Sequence, residues 1–300
     1  MSVLFVFVDG LGIAPQGPGN PLSRVKEPPL GLLCGNEAPG FRLIEADACL
    51  GVEGVPQSAT GGTALFTGVN APKAVGRHVQ ALPNTQLRRI ISRNGLLRRA
   101  REKGAAVGFA NTYTPRFFKR GRNRIRSVTT VMAESAGLRL NRLEDLIAGR
   151  AVYRDYTNGL ILEQGHDVAR LDAEEAGARL AKLARTKDLL IYEFFQTDHT
   201  GHRGTTEDAL EVLADLNRFL QAALRHIDPD VDTFVLSSDH GNVEDMETSA
   251  HTTNPVPILL YGKGADTLLA DVSRPNICHV TPLILSIISS RLLKDYSMRC

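Results

Sequence analysis

Three aspartates and three histidines fall in short segments beside apolar runs of this 300-residue chain. Asp9 closes the run Leu4-Phe5-Val6-Phe7-Val8. Asp198 and His202 lie in Thr197-Asp198-His199-Thr200-Gly201-His202. Asp239 and His240 lie in Ser238-Asp239-His240-Gly241-Asn242, and His251 lies in Ala250-His251-Thr252. Carboxylates and neutral imidazoles are the donors that suit zinc, manganese and related divalent ions. Six of them suffice for two ions, and two neighbouring ions can activate a nucleophile while holding phosphoryl oxygens through an in-line displacement. Taken singly, each residue has a plainer reading. An Asp after a strand usually caps a turn, and a His in a loop is usually polar surface. The weight comes from one placement repeated, an Asp or His beside an apolar strand-like run each time.

A nucleophile candidate stands apart from these six. Ser58 opens Ser58-Ala59-Thr60-Gly61-Gly62-Thr63-Ala64-Leu65-Phe66-Thr67-Gly68, a small, apolar stretch that reads as a helix. A Ser at that position usually caps the helix. The same place suits attack on a phosphate, because helix N-termini favour developing negative charge. A serine hydroxyl needs an activator near neutral pH, and a coordinated cation supplies one. Thr60 is the nearest competing hydroxyl.

The elements that would carry these residues follow from periodicity. Continuous apolar runs predict buried strands at 3–8, 105–110, 188–195, 233–237 and 256–261. Helices are expected over 59–67, 86–103 (ending at Gly104), 173–186, 206–226 and 280–293. Residues 13–40, rich in Pro and Gly, read as a long loop. Between Thr112 and His166 the pattern is broken by Pro115, Gly121, Gly137, Gly149 and Gly159, with short helices near 129–136 and 142–148. Strands alternating with helices at both ends argue for an α/β fold with a doubly wound, mostly parallel sheet. In such sheets ligands gather at the carboxyl ends of the strands, which would bring the six residues to one edge. The expected organisation is a core of residues 1–111 and 167–300 with a small inserted cap at 112–166.

Composition sets outer bounds. Hydrophobic residues are 43% and charged residues 23%, enough for a sizeable core. A net charge of +2 predicts no general attraction to nucleic acid or membrane. The charge is uneven, however: basic residues dominate Arg88 to Arg126, where Glu102 is the lone acid. That run reads either as a solvated face or as a positive rim for an anionic substrate. Four scattered cysteines form no disulfide framework and fit a reducing, cytoplasmic setting. The first apolar run is too short to span a bilayer and lacks the flanks of a signal peptide.

Together the segments around Asp9, Ser58, Asp198, Asp239 and His251 resemble, in content and order, the alkaline phosphatase superfamily. Within it they look most like the branch of cofactor-independent phosphoglycerate mutases and phosphopentomutases. The resemblance covers roughly residues 1–75 and 186–290. Gly61 and Gly68 match the spacing that follows the nucleophile in the mutase branch, which favours Ser58 over Thr60. Position by position, the resemblance implies one ion held by Asp198, His202 and His251, and another by Asp9, Asp239 and His240 with Ser58 joining. The two divalent ions would be manganese or zinc. It further implies attack by Ser58, a phosphoserine, and transfer to water or to another hydroxyl.

One feature departs from the mutases. Their large inserted domain has no counterpart in the short interval between Ser58 and Asp198, and a small cap shelters a phosphoserine poorly from water. Hydrolysis of a phosphate mono- or diester is therefore the leading expectation. A phosphomutase of a small phosphorylated sugar or acid is the alternative, and a non-catalytic metal-binding relative is a third. Substrate contacts are expected from the insertion and its flanks: Arg77 and His78 after the Ser58 helix, then Asn111, Arg116, Arg154 and Asn158. Arg suits bidentate phosphate binding.

Overall fold

The strand Val3–Val8 (β1) is buried at every residue, and its side chains alternate between two cores. Val3, Phe5 and Phe7 enter one apolar cluster, and Leu4, Val6 and Val8 enter the other. Period-two alternation with both faces covered is what a central strand of a doubly wound sheet requires. Each such buried side chain contributes about 1.5–3 kcal/mol.

The chain was analysed as a computed structural model that describes residues 2–121, 125–265, 269 and 272–297. Its other strands are Phe41–Ala46 (β2), Val107–Phe109 (β3), Leu189–Phe194 (β4), Thr233–Ser237 (β5) and Val256–Gly262 (β6). They form a sheet in the order β2-β6-β5-β1-β4-β3. β1, β3, β4 and β5 run parallel, whereas β6 is antiparallel to both β5 and β2. The sheet is thus mixed and mostly parallel, as the alternating elements predicted.

Helices cover both faces. Ser58–Thr67, Thr85–Asn94, Leu96–Glu102, Val128–Ser135 and Val280–Ser297 contribute to the first cluster. Ala173–Ala184 and Thr206–Leu224 contribute to the second. Both of the latter start at capping boxes, Asp172 with Glu175 and Thr205 with Asp208, which satisfy first-turn amides. In the helix Thr206–Leu224 the buried residues Ala209, Leu213, Leu216, Leu220 and Ala223 make one apolar stripe.

Three expectations are corrected. The helix foreseen over 86–103 is two helices, because Gly95 takes an extended ψ of 136° between them. The sheet gains β2, an edge strand that follows the predicted 13–40 loop, and that loop itself contains the 3-10 turns Pro21–Arg24 and Leu30–Cys34. The strand foreseen at 105–110 is confined to Val107–Phe109. Within 112–166 lie the short helices Pro115–Lys119, Leu143–Ile147 and Gly159–Glu163. A small cluster of Leu146, Tyr153, Ile161 and Val168 packs there, while the helix Val128–Ser135 joins the first core. No helix among the described residues is long and apolar enough to cross a membrane.

Candidate metal centre

β1 lies between β4 and β5, and the chain leaves these three neighbouring strands at Asp9, at the Asp198 segment and at Asp239. β6 runs the other way, so the residues before it return to the same edge. Thr252 N–H donates to Gly241 O there at 3.0 Å, and His251 is set beside His240, with the two rings stacked 3.7 Å apart. Asp198 and His202 share one face of the helix Gln196–Arg203, which begins at once after β4. The sequence reading left this helix out, although the four-residue spacing of Asp198 and His202 is its signature.

Two groups of ligand atoms result. In the inner group His240 Nε2 lies 3.4 Å from Asp9 Oδ1 and 3.5 Å from Asp239 Oδ2. In the outer group Asp198 Oδ1 lies 3.3 Å from both His202 Nε2 and His251 Nε2, and the two imidazole nitrogens are 2.9 Å apart. His240 also stands within 4.8 Å of Asp198 and His251 through its nearest ring atom, so the groups adjoin.

These donors fit cations. Asp9 Oδ1 and both carboxylate oxygens of Asp239 are buried without a hydrogen-bond partner, which is costly for acceptors unless a positive ion meets them. In the outer group His251 Nδ1 lies 2.8 Å from Pro56 O, and His202 Nδ1 lies 2.6 Å from Ser249 O. A carbonyl only accepts, so each Nδ1 carries the proton and each Nε2 of the neutral rings presents a lone pair. Two lone pairs and a carboxylate oxygen converge, and only a proton or a metal ion relieves that arrangement.

The acid-base balance agrees. Burial, then the charges of Asp239 and Asp198, push the Asp9 carboxyl well above its usual range. Burial and the Asp198 charge raise Asp239 to about 7. Burial and the neighbouring His251 lower His240 to about 3, keeping it neutral. At Asp198 burial works upward, but without a cation a proton on His251 that bonds the carboxylate, together with the Asn242 amide, brings the carboxyl down to about 2.

Ser58 sits in the first turn of its helix, half-buried, with its Oγ 3.0 Å from His240 Nε2. The cap position is Gln57, so the Ser58 hydroxyl is not spent on capping. Thr60 is buried and spent: its hydroxyl donates to Gln57 O at 3.2 Å and accepts from Val79 N–H at 3.1 Å. The helix lies close against the Asp239 backbone. A Cβ on Gly61 would stand 2.5 Å from Asp239 O, so a side chain there would force the Ser58 helix away from His240.

Glu244 escaped the sequence reading. It is 1% exposed and accepts from Gly12 N–H at 2.8 Å, Asn242 N–H at 2.7 Å and the Thr252 hydroxyl at 2.5 Å. One carboxylate thus ties together the three loops that present Asp9, His240 and His251. It lies two residues beyond Asn242 in Val243-Glu244-Asp245-Met246-Glu247, where the other two acids leave nothing in the sequence to single it out. Asn242 in turn donates to Asp198 Oδ1 at 2.9 Å.

A cavity of about 550 Å³ opens beside the inner group and shares Asp9 with it. Asn111, Arg116 and Arg154 lie in its wall. The Asn111 amide is committed, donating to Glu193 O at 2.7 Å and accepting from Glu193 N–H at 2.8 Å. Arg77, His78 and Asn158 do not line the cavity. Arg77 is exposed, His78 Nε2 approaches Val52 O at 3.3 Å, and buried Asn158 donates to Ala169 O at 2.8 Å. Glu193, which the sequence reading passed over inside its strand, lines the cavity and accepts from the Thr129 hydroxyl at 2.7 Å. Burial raises its carboxyl to about 7.

Comparison with known proteins agrees with this geometry. A family model described as the Metalloenzyme superfamily matches residues 1–292. A 2,3-bisphosphoglycerate-independent phosphoglycerate mutase of Haloquadratum walsbyi is 31% identical over 110 residues, 34% of this chain and 21% of the relative. One of Acaryochloris marina is 34% identical over 130 residues, 37% of this chain and 24% of the relative. The chain therefore spans about a quarter or less of these relatives' length. A cold-active alkaline phosphatase from a psychrophilic Shewanella species superposes with a TM-score of 0.55 at 12% identity, covering 96% of this chain and 100% of that one. The alkaline phosphatase of the Antarctic bacterium TAB5 gives 0.52 at 14% identity, covering 96% and 98%. At such identities the likeness concerns the fold.

Proposed function

Because the chain belongs to the Metalloenzyme superfamily, we propose that it is a metal-dependent phosphoryl-transfer enzyme that hydrolyses a phosphate ester through Ser58. The observation that carries this reading is the Ser58 hydroxyl, uncommitted to capping and 3.0 Å from His240 Nε2, at the meeting point of two cation-seeking groups. Asp9, Asp239 and His240, with Ser58 alongside, would hold one divalent ion, and Asp198, His202 and His251 would hold the other. Manganese and zinc both suit this donor set. Such ions, when bound, act as Lewis acids that lower the pKa of a hydroxyl and neutralise a phosphoryl group.

The chain's own residues do the rest. His240 Nε2 and Ser58 Oγ stand 3.0 Å apart, so that both would face the same ion, and the first turn of the Ser58 helix presents the hydroxyl with the positive end of the helix dipole. Ser58 Oγ forms a bond to phosphorus as the ester P–O bond breaks, leaving a phosphoserine and the alcohol. Water then attacks the same phosphorus and returns Ser58 with release of phosphate. Glu244 and Asn242 act as positioning residues for the loops that carry the ligands. We read residues 112–166 as a cap on a core of 1–111 and 167–300, with Arg116 and Arg154 facing the substrate from it. The short interval between Ser58 and Asp198 favours water over a second hydroxyl as acceptor.

The test is phosphate release from monoesters by the manganese-loaded protein. Ser58→Ala should lower turnover by about 10³-fold or more while metal content stays at the wild-type level. Undiminished turnover in that variant would move the nucleophile elsewhere. Isomerisation of a sugar phosphate without release of free phosphate would make the protein a mutase.

A further inference from the structure

The cavity beside Asp9 is far larger than a phosphate group needs, and at about 550 Å³ it falls in the range of small-molecule sites. Its wall is unusual for a site that takes a sugar acid. Tyr113, Phe117, Tyr153 and Phe195 present rings to it, and Tyr113 and Phe117 pack with centroids 4.5 Å apart. Two of the hydroxyls in the wall, those of Tyr113 and Ser127, meet at a third. Tyr113 OH lies 2.9 Å from Thr130 Oγ1, and Ser127 Oγ lies 2.9 Å from the same atom. The Asn111 amide is taken by the Glu193 backbone. Thr112 Oγ1, also in the wall, is buried without a partner among the described residues, so it is the aromatic rings, not a lack of polar groups, that mark this wall.

Arg154 is the cation set among those rings. Its guanidinium carbon lies 4.9 Å from the centroid of Phe195 and 5.7 Å from that of Tyr153. Its Nε is buried without a hydrogen-bond partner among the described residues. A guanidinium held over aromatic faces and unpaired with a carboxylate awaits an acceptor in the plane of its fork.

We propose that this cavity is the subsite for the ester group of the substrate, and that it takes a planar, largely apolar ring bearing an acceptor or anionic substituent that meets Arg154. The substrate class is then an aryl or heteroaryl phosphate. Such an ester offers no second hydroxyl for a mutase reaction, so the cavity deepens the hydrolase reading on which it rests. Shared Asp9 places the ester oxygen at the inner group while the ring lies along the aromatic wall. Arg116 and Arg120 stand exposed at the rim and attract the anion to it.

The proposal is tested by binding, separately from turnover. Manganese-loaded Ser58→Ala protein is titrated calorimetrically with methylphosphonate, phenylphosphonate and 3- or 4-carboxyphenylphosphonate. Phenylphosphonate should bind about tenfold or more tightly than methylphosphonate, and Phe117→Ala should remove that preference. One carboxyphenyl isomer should bind more tightly still, and Arg154→Ala should remove that increment alone. Circular dichroism confirms that both variants remain folded, and Tyr113→Leu replaces Phe117→Ala should the latter not fold. Equal affinity for methyl and phenyl probes, no measurable binding of either, or preferences unchanged in the variants would overturn the subsite. If Ser58 is not the nucleophile, the wild type fails to release phosphate in a Ser58-dependent way while the aryl preference in binding survives. If only the subsite is wrong, phosphate release persists without preference for phenyl over glycerol phosphate.

Discussion

The inner and outer ligand groups use the same kinds of side chain at different depths. Asp239 and His240 expose 1% and 0% of their side chains and Asp198 and His202 expose 20% and 36%, with Asp9 of the inner group at 18% and His251 of the outer group at 6% between them. The outer imidazoles are aimed by carbonyls of Ser249 and Pro56. The inner imidazole is held by packing and by its neighbours Ser58, Asp9 and Asp239. Burial presses the carboxyls of both groups upward, and the donors around Asp198 separate the two. Inner carboxyls resist ionisation, and Asp239 rises to about 7; the wetter Asp198, surrounded by donors, falls to about 2. A buried group of that kind depends on its cation more heavily than an open one.

The sharpest way to break this comparison is to remove one ligand from each group. Asp239→Asn should weaken binding of the inner ion by about 100-fold or more, above the 10–100-fold typical of supporting residues. His202→Ala should weaken the outer ion by about 10–100-fold and leave the inner one bound. Metal stoichiometry across a titration reads both. Loss of both ions in each variant would make the two groups a single cooperative centre.

Next in size is the supporting carboxylate. Glu244→Gln leaves the shape but weakens acceptance from three loops, and it should cost about 1–3 kcal/mol of stability with weaker binding at both groups. Chemical denaturation together with metal titration checks it. A loss confined to the outer group would mean that Glu244 supports His251 alone.

A pH comparison probes the inner group without metal. The Asp239 carboxyl is raised in the folded state, from 3.8 to about 7. The folded protein therefore holds that proton more tightly than the unfolded chain does. The stability from it is full below about pH 4 and is lost as pH rises to about 7. Asp9 and Glu193 are raised as well, and burial of neutral His240 acts in the opposite sense below its unfolded value, so the wild type alone mixes them. The difference between wild type and Asp239→Asn reads the carboxyl together with its effect on Asp9: metal-free wild type should lose stability relative to the variant between those two values. Added manganese should stabilise the wild type more at pH 7.5 than at pH 5, because the ligands must be deprotonated to bind. A difference independent of pH would show that Asp239 ionises normally.

The smallest effect is expected at the hydroxyl the geometry sets aside. Thr60→Val removes one donor and one acceptor near the Ser58 turn, which should cost about 1 kcal/mol of stability and leave turnover nearly unchanged. A large fall in turnover would reopen the choice between Thr60 and Ser58.

Much of this fold was legible because its central strands are continuous. The runs ending at Val8 and Ser237 are bounded as periodicity predicts, since strands buried on both faces carry no polar interruption. β2 was not legible: Phe41–Ala46 is a half-exposed edge, and it becomes a strand only by pairing with β6. The break at Gly95 was equally hidden, because a helical apolar pattern continues across it. The six Asp and His positions could be picked out by their repeated placement beside strands, and Ser58 by its place at the head of a small, apolar helix. Glu244 and Glu193 could not, since a Glu beside other acids or inside a strand gives no sign of burial until three loops or a cavity wall close around it.

By itself the sequence determined the chemistry available and the order in which it is presented, because strand periodicity and the residues ending each strand are local properties. The tertiary structure decided which of those residues meet. Reversed β6 brings His251 beside His240, bare Gly61 lets the Ser58 helix approach Asp239, and the cap position falls at Gln57, which leaves the Ser58 hydroxyl beside His240. These are outcomes of packing between segments far apart in the chain, and local propensity carries no information about them.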